Sequence, residues 1–170
     1  MKQTMIRIAV IAAIISINIG CDQSTKYLAK KHLPRAATIQ VIDGLFVLHY
    51  AENKGGFLSM LSSLPRTLRL IFLSIIPLVS LVLMTYYVIA SKEISSLYTL
   101  GLSCIIGGGL SNIADRLLNE YVVDFMNIGI GGIRSGIFNS ADLSIMAGAG
   151  MIIWMVMRQR KNPPIGSMPS

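Results

Sequence analysis

TLRLIFLSIIPLVSLVLMTYYVIA, residues Thr67–Ala90, carries a single charged side chain, Arg69, in an otherwise apolar run. A helix needs roughly 20 such residues to cross the bilayer hydrocarbon at ~1.5 Å rise per residue, so this stretch reads as a membrane span. Three more stretches approach the same length: Ile6–Ala29, Ser95–Leu117 and Ile137–Met157. Composition agrees, with 53% hydrophobic and 14% charged residues and a mean hydropathy of +0.63, far from a soluble globular chain. Four crossings put both termini on one side. The expected fold is a mainly α membrane protein, a single domain over residues 1–161, followed by a polar NPPIGSMPS tail, 162–170, that has no means of burying surface and is expected to be disordered.

The first span admits two other readings. Met1-Lys2 before an apolar run resembles a cleavable signal peptide, and Ile19-Gly20-Cys21-Asp22 resembles a lipobox. Three further spans argue for a retained helix, with Cys21 an ordinary small residue on it. Cys104 stands alone in the third span, and His32 and His49 are isolated, so neither a disulfide framework nor a metal site is expected. The net charge of +7 comes from basic residues flanking apolar spans, which suit anionic headgroups rather than nucleic acid. Membrane lipid is therefore the expected partner. Charge leaves orientation open: Lys2, Arg7, Lys92, Arg158, Arg160 and Lys161 lie on the side of the termini and the other nine Lys and Arg opposite.

Between the spans, Thr38–Leu48 is rich in β-branched and large apolar residues and is broken by Asp43-Gly44, which predicts two strands and a turn at the membrane surface. Asn53-Lys54-Gly55-Gly56 reads as a tight turn. Pro65 suits the start of the second span and Pro77 a distortion within it. Small residues at helical spacing, Ser103/Gly107 in the third span and Ser144/Gly148 in the fourth, predict close helix packing. Leu118–Gly136, with its NIGIGGIRSG segment, reads as a mobile loop or irregular strands.

Only eight residues are acidic, and Asp22, Asp115, Asp124 and Asp142 lie in or beside apolar spans. A carboxylate near hydrocarbon costs about 2.5–3.5 kcal/mol on insertion scales, so each needs a partner or a function. Asp22 and Lys26 are spaced i, i+4 and can pair on one helix face. Asn112, Asp115 and Arg116 share a face, and Asp115 and Arg116 can neutralise each other or nearby partners. Asp124 and Asp142 have no such local cation, and Asn139 lies one turn before Asp142. Two carboxylates brought to one site share a proton near neutral pH and can work on a bound water. A proton-coupled carrier uses intramembrane carboxylates too, so the residues leave peptidase and carrier open. A Ser24/Lys26 dyad is disfavoured, since residues two apart on a helix do not face each other.

Five pieces in order resemble the lipoprotein signal peptidase, or signal peptidase II, family: Asp22-Gln23-Ser24-Thr25-Lys26; Asn53-x-Gly55; Gly107-Gly108 with Asn112 and Asp115-Arg116; Val122-Val123-Asp124-Phe125; and Phe138-Asn139-x-Ala141-Asp142. The resemblance implies a four-helix bacterial inner-membrane enzyme with cytoplasmic termini and a β cradle and mobile loop at the periplasmic surface. It implies that Asp124 and Asp142 are the catalytic dyad of an aspartic endopeptidase, which removes the signal peptide from diacylglyceryl-modified prolipoproteins just before the lipidated cysteine. Asn53, Asn112, Arg116 and Asn139 are then expected to bind and orient substrate, with Asp22, Lys26 and Asp115 in support. No cofactor and a monomer are expected. The chain departs from the family pattern at Phe57-Leu58 after Gly56, and at Ser111, where a glycine is common.

Overall fold

The computed structural model describes residues 2–56, 59–91 and 93–161, the last three by their backbone. The expected tail at 162–170, the Phe57-Leu58 departure and the Lys92 charge lie outside the described residues.

Among the described residues, four helices are long and apolar enough to cross a membrane: Lys2–His32, Arg66–Ala90, Ser96–Asn119 and Ser140–Arg158. The first is α1 (Lys2–His32), which ends on Lys30, Lys31 and His32, cations that complement the helix dipole. The second span is divided. Helix α2 (Arg66–Leu70) starts after Pro65, a π-helical turn covers Ile71–Ile75, and α3 (Ile76–Ala90) continues to the far side. The π turn ends just before Pro77, whose missing N–H and bulky ring disrupt the preceding turn, so the distortion expected at the proline takes this form. Helix α4 (Ser96–Asn119) opens on Ser95, whose hydroxyl accepts from the Tyr98 N–H at 3.2 Å, and closes on Glu120 in a left-handed conformation. Helix α5 (Ser140–Lys161) starts three residues later than the sequence predicts, because Ile137 and Phe138 end a strand.

Large apolar side chains such as Ile17, Leu83 and Trp154 point outward, as lipid-facing positions require. Helix α4 is the exception, with 56% of its apolar window buried against 6–11% in the others, so it is the central post of the bundle. Its small residues make that possible. A Cβ on Gly107 would lie 2.7 Å from Asn18 of α1, and one on Gly108 2.4 Å from the Ala141 carbonyl of α5. On α5 itself, a Cβ on Gly148 would lie 2.4 Å from the Gly101 carbonyl of α4. The close approach expected from the small residues thus joins α4 to both α1 and α5. Ile11, Leu81, Val88, Leu102, Ile106 and Ile113 fill the core among α1, α3 and α4.

At the end of the bundle where α1 and α4 finish and α2 and α5 begin lies an antiparallel sheet in the order β1-β2-β3-β4. Strands β1 (Ile39–Ile42) and β2 (Phe46–Asn53) flank the expected turn, with Gly44 at φ +71°. The segment expected as a mobile loop or irregular strands forms β3 (Val122–Ile130) and β4 (Ile133–Phe138), a hairpin turning at Gly131-Gly132. Its register shifts between Asn127 and Gly129, where a side chain on Gly129 would meet the Ile133 carbonyl at 2.2 Å. The glycines that hid the strand pattern thus serve a bulge and a turn. Ala29, Tyr50, Val123 and Phe125 form a second core that seats the sheet on α1.

Candidate active site

The first turn of α5 is built by its own polar residues. The Asn139 side-chain oxygen accepts from the Asp142 N–H at 3.0 Å, and an Asp142 carboxylate oxygen accepts from the Asn139 N–H at 3.1 Å. This reciprocal pair is a capping box with Asn and Asp in its two places, and it satisfies two of the N–H groups a helix start leaves unpaired. A third, of Ala141, donates to Asp22 of α1 at 2.8 Å. Thr25 and Ser140 hydroxyls share a 2.6 Å hydrogen bond. Capping thereby fixes one oxygen of Asp142, and the Asn112 amide of α4 donates to the other at 2.9 Å.

Asp124 arrives from the sheet. It is 3% exposed and sits opposite Ala51 of β2. One oxygen accepts from the Asn53 amide at 2.9 Å and the other from the Asn139 amide at 2.7 Å. Asn53 also closes the turn after β2, accepting from the Gly55 N–H at 2.9 Å and donating to the Gly56 carbonyl at 3.0 Å. A Cβ on Gly55 would lie 2.5 Å from the Met60 carbonyl, so the turn requires glycine there. Burial pushes the Asp124 carboxyl up from 3.8 to about 6; the Asp142 charge adds to the rise, while the Asn53 and Asn139 bonds and the Lys26 charge oppose it.

Asn139 is fully buried and links the two carboxylates, since its amide also donates to the Asn112 side-chain oxygen at 3.1 Å. That oxygen accepts in turn from Lys26 at 2.8 Å. The Lys26 ammonium makes two further contacts, to Asp22 at 2.6 Å and Asp115 at 2.7 Å, so its three protons meet three acceptors. The predicted Asp22–Lys26 pair is present. Asp115, in contrast, pairs with Lys26 of α1, whereas the Arg116 guanidinium bonds the Asn112 carbonyl at 3.4 Å and the Gly55 carbonyl at 3.1 Å. Adjacent residues on α4 point away from each other, and the cation nearest in sequence is not the partner.

All nine residues singled out in the sequence, Asp22, Lys26, Asn53, Asn112, Asp115, Arg116, Asp124, Asn139 and Asp142, fall in one connected network. Gln23 and Ser111 belong to it as well and were missed. Gln23 donates to Ser111 at 2.9 Å and to Asp115 at 3.0 Å, and Ser111 donates to Asp22 at 2.7 Å. Both are polar side chains within apolar spans, the same signal that flagged Asp22. At the departure from the family glycine, the hydroxyl thus adds a buried hydrogen bond. Among the described residues, no group of three or more His, Cys, Asp or Glu side chains is placed to hold a metal ion.

Asp124 and Asp142 both line a cavity of about 630 Å³ between the sheet and the first turns of α5, together with Asn53, Asn112, Arg116 and Asn139. The rest of its wall is mostly apolar, with Ile128, Ile137, Phe138, Leu143, Ile145 and Met146. A mostly apolar wall with a few convergent polar groups is the usual make-up of a ligand site, and the polar part here presents amides, a guanidinium and two carboxylates.

Fold and site together define a class, a polytopic helical membrane protein with a carboxylate pair in an amphipathic cavity beneath a surface sheet. A family model described as signal peptidase (SPase) II matches residues 14–158, and the chain belongs to that family. The lipoprotein signal peptidase of Caldanaerobacter subterraneus subsp. tengcongensis is 33% identical over 144 residues, 85% of this chain and 93% of the relative. That of a Sulfurihydrogenibium species is 37% identical over 133 residues, 78% and 81% of the two chains. A bacterial membrane enzyme solved in meso at 2.3 Å superposes with a TM-score of 0.82 at 26% identity, covering 95% of this chain and 96% of the other. The protein is therefore a multi-pass bacterial membrane peptidase, and the carrier left open by its residues is set aside.

Proposed function

We propose that this chain is an aspartic endopeptidase that cleaves diacylglyceryl-modified prolipoproteins just before the lipidated cysteine, with Asp124 and Asp142 as its catalytic pair. The observation that carries the reading is the placement of both carboxylates on the wall of one largely apolar cavity, each held by asparagine amides. The pair shares a proton. Its ionised member takes a proton from a water as the water oxygen attacks the scissile carbonyl, and its protonated member donates to the carbonyl oxygen. As the tetrahedral intermediate collapses, the member that is now ionised takes back a hydroxyl proton, the other gives its proton to the departing amine nitrogen, and the C–N bond breaks. Asn53, Asn112, Asn139 and Arg116 orient the peptide with amide and guanidinium donors, while Asp22, Lys26 and Asp115 hold the first turn of α5 in place. The apolar wall receives the acyl chains, and the sheet acts as the cradle for the signal peptide.

The enzyme forms one domain over 1–161 and works as a monomer, a reading supported by a cavity that one chain completes. Its termini face the cytoplasm and the sheet lies at the periplasmic surface. Purified protein in detergent is expected to shorten a lipidated prolipoprotein and leave the unlipidated form intact. Asp124→Asn or Asp142→Asn should each lower the rate by at least about 10²-fold, the lower range for a lost acid or base. Full activity in both variants would refute the dyad.

A further inference from the structure

Beside the aspartate cavity lies a second one of about 340 Å³, bounded by the turn after β2, the start of α2 and the end of α4. Lys54, Arg66, Arg69 and Arg116 line it, against one carboxylate, Glu120. Arg66 reaches Glu120 at 2.5 Å, but that pair is largely exposed and holds little of the charge. Among the described residues Lys54 and Arg69 form no ion pair, and the buried Nε of Arg116 has no hydrogen-bond partner. Asp115, Asp124 and Asp142 answer the Arg116 charge, but Lys54, Arg66 and Arg69 repel one another unless an anion sits among them.

The surroundings narrow the anion's identity. Leu70 and Leu73 continue the cavity wall down the second span, and Leu68, Ile71 and Phe72 beside them are exposed on a helix that faces lipid. A basic hollow at headgroup level, opening onto an apolar helix face, matches an anionic lipid in both parts. We propose that this cavity binds the phosphate of an anionic phospholipid, held by Lys54, Arg66 and Arg69, with its acyl chains along the outer face of α2 and the π turn. The lipid is distinct from the substrate, whose diacylglyceryl group carries no phosphate, and its binding does not depend on the role of the aspartates. Arg116 lines both cavities and bonds the Gly55 carbonyl, so the bound headgroup touches the residue that braces the Asn53 turn.

The test uses the full chain in zwitterionic detergent, titrated with short-chain phosphatidylglycerol or phosphatidylcholine and read by native mass spectrometry. Phosphatidylglycerol should be retained and phosphatidylcholine lost. The double variant Arg66→Gln/Arg69→Gln should weaken retention roughly tenfold to thirtyfold, as expected for two headgroup-level cations, while Arg66→Lys/Arg69→Lys keeps most of it. The pair Lys30→Gln/Lys31→Gln, at the end of α1 and outside the cavity, should leave binding unchanged. Equal retention of both lipids, or an equal loss in the α1 variant, would overturn the proposal in favour of diffuse charge attraction. Displacement of the lipid by equimolar glycerol phosphate or inorganic phosphate would overturn the lipid assignment and leave a site for a free phosphate ester.

Discussion

Asp124 shows how a strand within a membrane protein makes an unusual acid. Two amides bond the carboxylate and favour its charge, yet burial outweighs them and the pKa rises from 3.8 to about 6. Between those values the folded protein binds more protons at this site than the unfolded chain does. Its stability contribution is therefore intact below the unfolded pKa, falls as pH rises through the folded one, and is absent above it. Replacing the group by an amide removes that slope, although it also sets a donor against the donors of Asn53 and Asn139. Relative to wild type, Asp124→Asn should gain on the order of 2–3 kcal/mol as pH rises from about 4 to about 7, whatever its offset at low pH. Thermal melts in detergent across that range measure the difference, and a flat difference would show that Asp124 ionises normally. The acid itself was legible in the sequence, because a carboxylate among apolar neighbours without a local cation is conspicuous. Its partners were less so. The Asn139-x-x-Asp142 spacing is a capping signature, but Asn53 and Asn139 meet Asp124 from 71 and 15 residues away.

At the level of elements, the contact between α4 and α5 decides where Asp142 points. Gly108 packs against the Ala141 carbonyl, one residue before Asp142, so an added methyl there pushes on the first turn of α5. Gly108→Ala should destabilise the protein by about 1–3 kcal/mol, the usual range for overpacking, and should reduce cleavage even at temperatures where the variant remains folded. Gly150→Ala, whose added Cβ would meet no atom within 4 Å, should match wild type in both. Parallel melting and cleavage assays of the two variants provide the comparison. If Gly108→Ala behaves like Gly150→Ala, the close approach does not hold α5. The four helices were readable because hydropathy and length are local properties. The β3–β4 hairpin was not, since its pairing needs β2 as a neighbour and its glycines resemble those of a loop. The Lys26–Asp115 pair escaped for the same reason, its partners being brought together only by the packing of α1 on α4.

The whole molecule carries its cations unevenly, and the structure gives a reason. Nine of the fifteen Lys and Arg lie on the sheet side, where a positive-inside count would place the cytoplasm. Several of them are committed to other work: Lys26 is enclosed by carboxylates, Arg116 braces a turn, and Lys54, Arg66 and Arg69 line the second cavity. Set aside from the count, they no longer argue against cytoplasmic termini. In a background with Cys21 and Cys104 replaced by Ser, Asp43→Cys on the sheet and Glu93→Cys in the α3–α4 turn supply two exposed probes. An impermeant thiol reagent added to cells with a permeabilised outer membrane should label the first, and label the second only once the inner membrane is opened. The reverse pattern would invert the topology.

The Lys26 network also bears on how the nascent chain enters the membrane. Asp22 and Lys26 emerge from the ribosome 86–89 residues ahead of Asn112 and Ser111, which eventually enclose them. Through that interval the i, i+4 spacing offers each charge only the other. A pair that braces the finished fold is thus also matched in charge before its later partners exist, and α1 reaches its final surroundings only when both α4 and α5 have joined it.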